Sequence, residues 1–327
     1  MEKILEVKHL KKYFPIKKSL FSHSRAAVKA VDDVSFDLFK GETLGLVGES
    51  GSGKSTVGRT ILRLLDATAG EVHYRGEDVL HPANEKRSQE FRQRMQMIFQ
   101  DPYASLNPRM IIGDALMEPM LAHNLCSRQA AEEQAMKLLT AVGLDKDYFY
   151  RFPHQFSGGQ RQRIGIARAL ALNPEIIVCD EPVSALDVSV QAQIINLFKD
   201  LQDELGLTYL FIAHDLSVVK YLSTRIAVMY LGELVEVTDK NAIFENPMHP
   251  YTQALMSAIP RPNPRLERNR IILTGDIPNP ADPPKGCKFH NRCNQKMDIC
   301  EKVHPELIDL GGHCVRCHLY QSQGGAK

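Results

Sequence analysis

Apolar and polar positions along this chain follow two rhythms. Residues 3–14 predict a strand that ends in a turn at Pro15, and the polar, small residues 17–27 predict a loop. Val34-Ser-Phe-Asp-Leu38 alternates, as a half-buried strand does. Thr43-Leu-Gly-Leu-Val47 is a short apolar run that enters a glycine-rich loop, and a helix is expected from Ser55 to Leu65. Met95–Phe99 predicts another strand. Residues 101–156 read as mostly helical. The clearest helix there starts at the N-cap Ser127 and stops near Gly143, with Ala131, Ala135, Leu138, Leu139 and Val142 on one face. Ile176–Cys179 and Tyr209–Ala213 predict buried strands. Strands alternating with helices predict an α/β core with a largely parallel sheet. Beyond about residue 245 the composition shifts. Prolines crowd residues 260–284 and predict a linker that wraps into a small terminal module.

Composition narrows the function classes. The 327 residues are 43% hydrophobic, enough for one large core or one core and an appendage. Charged residues make up 24% and the net charge is +1, which gives no support for nucleic-acid binding. No stretch approaches the ~20 apolar residues that span a bilayer. Met1–Phe14 lacks the apolar core of a signal peptide, so a cytoplasmic protein is expected, with any membrane role supplied by a partner. Of the seven cysteines, Cys126 and Cys179 lie in the body of the chain. Cys287, Cys293, Cys300, Cys314 and Cys317 crowd its end. In a reducing compartment such a cluster points to metal rather than disulfides.

Gly48-Glu-Ser50-Gly51-Ser52-Gly53-Lys54-Ser55-Thr56 matches G-x-x-x-x-G-K-[ST], with a strand before it and a helix after it. Glycines let the backbone curl so that its N–H groups meet phosphate oxygens, and the helix presents its positive end to the same anion. In this pattern Lys54 reaches the β- and γ-phosphates and Ser55 offers a hydroxyl to Mg²⁺. Asp180 ends the strand Ile176–Cys179, where it can hold Mg²⁺ directly or through water. Glu181 follows, placed to polarise an attacking water. His214, after the strand Tyr209–Ala213, is a candidate sensor of the γ-phosphate. MgATP is the expected ligand.

Phe156-Ser157-Gly158-Gly159-Gln160, followed by Arg161-Gln-Arg, resembles the signature of the ABC ATPases. Gln100, Asp180-Glu181, Ser184-Ala-Leu-Asp187 and His214 complete that resemblance in order, over about residues 4–245. It implies a RecA-like α/β core with a helical subdomain, about 101–170, and an antiparallel β region. The ATPase domain would cover residues 1–258, with the linker and terminal module over 259–327. The resemblance also implies head-to-tail pairing, with ATP held between the phosphate loop of one subunit and the signature of the other. Ser157, Gly158 and Gly159 would then touch the partner's nucleotide. Phe14 would stack on adenine, with Tyr13 as fallback. Gln100 would join the Mg²⁺ site and couple it to the helical subdomain, and Asp187 would bridge the two nucleotide sites. Lys54, Gln100, Glu181 and His214 are the implied catalytic set.

Gln100-Asp-Pro-Tyr-Ala-Ser-Leu-Asn-Pro108-Arg109, Pro153-His-Gln-Phe-Ser157 and His249-Pro-Tyr-Thr-Gln-Ala-Leu255 resemble the oligopeptide/dipeptide importer ATPases, and within them the second of two paralogous subunits. That implies a peptide importer built from a paralogous ATPase, two integral permeases and an external binding protein. This chain would sit on the cytoplasmic face of the inner membrane. Nickel and glutathione importers of the subfamily are alternatives, as is a non-transport ABC ATPase acting on ribosomes or DNA. The last usually carries two ATPase halves or a long coiled coil, whereas this chain has one half and no sustained heptads. The motif from His249 reads as helix packing.

Tails of this subfamily can hold a [4Fe–4S] cluster, which implies Cys287, Cys293, Cys300 and Cys317 as ligands, with Cys314 as an additional thiol. Zinc is the alternative, from the spacing Cys314-x2-Cys317 and nearby His290, His304, His313 and His318. The first three cysteines lack paired knuckles, however. Metal would serve the folding of a short, proline-rich tail.

Overall fold

Runs of apolar residues too continuous for a half-exposed strand build the parallel strands of this chain. Ile176–Asp180 and Thr208–Ala213 are buried at every position, the pattern of strands covered on both faces. The computed structural model describes residues 2–16, 27–103, 105–259 and 270–321. The loop expected from residue 17 and the stretch 260–269 of the proline-rich linker lie outside the described residues. The chain divides into two compact units.

The first unit comprises Met1–Ile4, Leu38–Thr43 and Tyr74–Ala213. Met95–Ile98, Ile176–Asp180 and Thr208–Ala213 run parallel in that order, with Met95 opposite Ile176 and Ile176 opposite Thr208. Helices Ile112–Ala122, Arg128–Ala141 and Gly158–Leu170 pack on one another. Ser127 caps the second of these by accepting a hydrogen bond from the Ala130 N–H at 3.3 Å. Gly143, at φ 72°, turns the chain after it, as expected. Ala131, Ala135, Leu138, Leu139 and Val142 are all buried.

The second unit comprises Leu5–Asp37, Leu44–His73 and His214–Lys327. Strands Ala27–Phe39, Lys3–Pro15 and Ala69–Tyr74 lie side by side in that order, mostly within it. Thr43–Val47 runs parallel to Arg225–Tyr230, with Leu44 opposite Arg225. That strand turns back as an antiparallel hairpin into Glu233–Asp239. The turn residues Leu231 and Gly232 both have positive φ (44° and 84°), the twist that suits a tight hairpin. The chain's end then adds two short strands: Cys314–Val315 pairs with Glu236 and Val237, and Ile308–Asp309 pairs with Cys314–Val315.

The helix expected to reach Leu65 ends at Ile61. Arg63 adopts φ 56°, and the Leu64 and Leu65 N–H groups bond back to the Arg59 carbonyl, which closes the helix early. No described helix is long and apolar enough to cross a membrane.

Gly113, in the first turn of Ile112–Ala122, tests the packing of the helical part. A Cβ there would lie 2.3 Å from the Phe149 ring, which is itself buried. Gly113→Ala is expected to lower unfolding stability by about 1–3 kcal/mol, read from urea or thermal unfolding midpoints. A variant as stable as the parent would mean that the ring moves aside without cost.

Candidate nucleotide site

The phosphate loop belongs to the second unit and leaves the C-terminal end of Thr43–Val47. Its glycines answer a steric demand. Gly48 has φ 154°, and a Cβ there would lie 2.1 Å from the Met229 carbonyl oxygen. Gly53 has φ 107°, and a Cβ would lie 2.0 Å from the Ala30 carbonyl oxygen. The Gly232 N–H donates to the Ser52 carbonyl at 2.9 Å and seats the loop against the hairpin turn. Lys54 is buried. Its Nζ donates to the carbonyls of Gly48 (2.8 Å) and Glu49 (3.0 Å) and lies 3.5 Å from Ser52 Oγ. Helix Lys54–Ile61 begins after Gly53 with no side chain capping it and no acid in its first turn. Its N-terminal amides are therefore oriented toward an anion. Ser55 and Thr56 lie half-buried in that turn, while Ser50 and Gly51 are exposed at the loop's crest.

The acidic residues belong to the first unit. Asp180 closes Ile176–Asp180 and is fully buried. Glu181 follows at φ 45°, a left-handed conformation that side chains other than glycine rarely adopt. Its backbone is pinned by its own N–H to Ile212 O (3.0 Å) and by Ser184, whose hydroxyl donates to Glu181 O at 3.0 Å. Gln100 Nε2 donates to Glu181 Oε2 at 3.1 Å, which brings these two residues together. The strain at Glu181 has no signal in the sequence. His214 follows Thr208–Ala213, exposed, in the second unit.

The signature residues start a helix. Ser157 caps Gly158–Leu170: its Oγ accepts from the Gln160 N–H (3.3 Å), and Gln160 Oε1 accepts from the Ser157 N–H (3.0 Å). Gly159 has no room for a side chain, because a Cβ would lie 2.4 Å from Val190. Arg161 stacks 3.7 Å over the Tyr103 ring and donates from Nε to Pro153 O at 2.7 Å. Asp187 caps Val188–Leu205 by accepting from the Val190 N–H at 3.0 Å. The Ser189 hydroxyl, first, and that amide hold its carboxyl below the usual range. Phe14 is exposed, with Lys12 Nζ 5.0 Å from its ring. The Tyr13 hydroxyl donates to Asp32, and Lys29 Nζ lies 5.5 Å from the centre of its ring.

All seven cysteines are free. Burial pushes the Cys287 thiol up to about 12, and Cys300, Cys317 and Cys293 add to the rise. Burial also raises Cys317 to about 11, with Cys293 and Cys300 contributing. Cys314 stands apart, raised by burial and then Asp309. Yet among the described residues no group of three or more His, Cys, Asp or Glu is placed to hold a metal ion. The expected iron–sulfur site is therefore not supported. The histidines named for the zinc alternative each have a hydrogen-bond partner through one ring nitrogen. His304 and His313 pair with Glu233 (3.0 Å) and Glu236 (2.7 Å). His290 and His318 meet the carbonyls of Cys287 (2.7 Å) and Val303 (2.8 Å).

A loop that presents amides and a lysine to phosphate, in a chain that also carries a strand-end Asp-Glu pair, is the equipment of an ABC-type ATP hydrolase. The family model described as ABC transporter matches residues 31–184, and that described as oligopeptide/dipeptide transporter, C-terminal region, matches residues 235–300. The oligopeptide transport ATP-binding protein AppF of Bacillus subtilis is 54% identical over 98% of both chains. The dipeptide transport ATP-binding protein DppF of Escherichia coli is 50% identical over 96% of this chain and 93% of its own. The dimeric, post-hydrolysis structure of the ATP-binding cassette MJ0796 with ADP and Pi superposes with a TM-score of 0.64 at 28% identity, covering 72% of this chain and 99% of that one. The chain belongs to the ATP-binding subunits of the oligopeptide/dipeptide ABC transporter family.

The run from His249, read in the sequence as helix packing, also braces the loop. The Tyr251 hydroxyl accepts from the Glu49 N–H at 2.8 Å, and His249 Nδ1 caps helix Pro250–Ser257 by accepting from the Tyr251 N–H at 3.1 Å. Burial lowers the His249 pKa to about 4, against an opposing pull from Glu236. The unfolded chain titrates this group near 6.5, so below that pH it binds the proton that the folded chain refuses. The contribution is complete above about pH 6.5 and falls as pH drops toward 4, by up to about 3 kcal/mol. Unfolding midpoints taken between pH 7 and pH 4 check this. His249→Asn keeps a capping oxygen and is expected to flatten the dependence; an unchanged slope would assign the loss to other groups.

Proposed function

We propose that this chain is the ATPase subunit that energises a peptide importer, pairing with a paralogous ATPase beneath two integral permeases on the cytoplasmic face of the membrane. An external binding protein would select the cargo. What supports the peptide reading is the near-complete coverage of the oligopeptide and dipeptide transport relatives, including the terminal region. The ATPase domain is assigned to residues 1–258, with its helical subdomain at about 101–170 and the terminal module at 259–327.

In this reading Gly48, Ser50, Gly51, Ser52 and Gly53 line the phosphates, Lys54 meets their β and γ oxygens, and Thr56 extends the helix's amide cradle. Phe14 stacks on adenine. Ser55, Gln100 and Asp180 supply hydroxyl, amide and carboxylate oxygens. That hard, sparse donor set fits Mg²⁺, which keeps water and phosphate ligands. Glu181 polarises water, His214 meets the γ-phosphate, and Asp187 links the two sites. The capped N-terminus at Ser157, Gly158 and Gly159 faces the partner's nucleotide.

The observation that carries the hydrolytic role is Glu181 held in a strained backbone with its carboxylate bonded to Gln100. Glu181→Gln is expected to keep MgATP binding and trap the closed pair, while hydrolysis falls by ~10²–10⁴, measured by phosphate release. Full hydrolysis by the variant removes Glu181 from the base role.

The finer reading of the tail is a [4Fe–4S] cluster on Cys287, Cys293, Cys300 and Cys317. The mutual influence of these four thiols supports it. Anaerobically prepared protein is expected to carry about four irons per chain, with matching sulfide, and to lose them in Cys287→Ala. Zinc, or no metal, would reject the cluster, and unchanged iron in the variant would reject the ligand.

A further inference from the structure

Glu49 is the one acid between Gly48 and Thr56. A carboxylate in a loop that gathers a polyanion opposes its own ligand, and more strongly where water is partly excluded. Its side chain is only 25% exposed. The Arg292 guanidinium clasps it with both arms: Nη1 lies 2.8 Å from Oε2 and Nη2 lies 3.2 Å from Oε1. Arg292 is itself 8% exposed, and it comes from the terminal stretch, 243 positions away in the sequence.

The clasp is rigidly mounted. Phe289 packs against Tyr230 and Tyr251, with ring centroids 5.2 and 5.5 Å apart, and Tyr230 packs on Tyr251 at 4.7 Å. The Arg292 guanidinium lies 5.9 Å from the centre of the Tyr230 ring. Tyr251 in turn takes the Glu49 N–H, and the Glu49 carbonyl accepts from Lys54 Nζ at 3.0 Å. Glu49 is thus held through its amide, its side chain and its carbonyl, and the side-chain hold is a charge pair. Bidentate pairs of this kind fix direction as well as charge.

We propose that Arg292 is a positioning residue for MgATP. It cancels and anchors the Glu49 carboxylate, so that the phosphate loop meets the nucleotide without an opposing charge. Nucleotide affinity then depends on a residue of the terminal stretch. The inference rests on Gly48–Thr56 being the phosphate site.

The test uses the full-length chain with its partners, MgATP as probe, and both Kd and the KM–kcat pair as readouts. Arg292→Ala is expected to raise Kd and KM by about five- to tenfold and leave kcat within about twofold. The double variant Arg292→Ala/Glu49→Gln is expected to return KM to within about twofold of the parent, because no charge remains to be cancelled. Arg292→Lys, which keeps the charge and loses the fork, should fall between. An unchanged KM in folded Arg292→Ala overturns the proposal. A raised KM that Glu49→Gln does not reverse also overturns it, since that outcome belongs to lost packing. If circular dichroism shows Arg292→Ala unfolded, Glu49→Gln alone decides. Tighter MgATP binding than the parent's, by about two- to fivefold, supports the proposal, and equal or weaker binding rejects it. A parent protein that bound no MgATP would instead reject the site itself.

Discussion

A phosphate-gathering loop must curl so tightly that backbone from elsewhere fills the space where its side chains would be. Two contacts define that constraint: Gly48 against the Met229 carbonyl and Gly53 against the Ala30 carbonyl. Both require glycine. They also require that Arg225–Tyr230 and Ala27–Phe39 present their backbones at fixed places. The parallel pairing of Thr43–Val47 with Arg225–Tyr230 supplies the first, and the Asp32 N–H bonded to Gly232 O at 2.7 Å ties in the second. The order of strands in the second unit follows from what the loop needs beside it.

The polar interior of that unit follows from the same demand. Lys288, 7% exposed, pairs with Asp32 and Glu233, each at 2.8 Å, and donates to the Leu231 carbonyl at the hairpin turn. Burial works against the Asp32 charge, yet hydrogen bonds from Lys288 and Tyr13 hold its carboxyl down at about 2. Glu236 is fully buried and accepts the N–H groups of Met248 and His249, each at 2.8 Å. Buried charges are tolerated only when paired, and removing one partner strands the other. The terminal stretch is therefore no loose tail with a metal as its sole support. It extends a sheet, donates Lys288 and Arg316 to backbone carbonyls, and packs Phe289 against both Tyr230 and Tyr251.

How much of this was legible in the sequence depends on the range of the interaction. Thr43–Val47, Ile176–Asp180 and Thr208–Ala213 were readable because strands covered on both faces become continuous apolar runs. Ser127 and Gly143 marked a helix because caps act over three or four residues. The phosphate loop and the Asp-Glu pair were readable because each is a local spacing. The hairpin at Leu231-Gly232 was not, since one glycine is a weak turn signal and the bulge between Leu234 and Glu236 breaks the alternation. The two-residue strands near the chain's end carry no periodicity at all. The spacing of the terminal cysteines suggested a ligand set, but spacing does not report how thiols converge in space, and among the described residues no such group is placed to hold a metal ion. The Arg292–Glu49 pair lay out of reach because nothing local links two residues that far apart.

The backbone at Glu181 shows the limit of local reading most sharply. A left-handed conformation costs a side-chain-bearing residue about 1–2 kcal/mol, and glycine or asparagine would hold it more cheaply. Neither could supply a carboxylate. The strain persists because its surroundings determine it three times over: Glu181 N–H is claimed by Ile212, its carbonyl by Ser184, and its carboxylate by Gln100. Relaxing φ would break these bonds together and swing the carboxylate off the end of the strand where Asp180 lies buried. Strain so closely fenced is what a site needs when one oxygen must point in one direction before its substrate arrives. Propensity alone would have placed a different residue there; the contacts around Glu181 fix the one that stands.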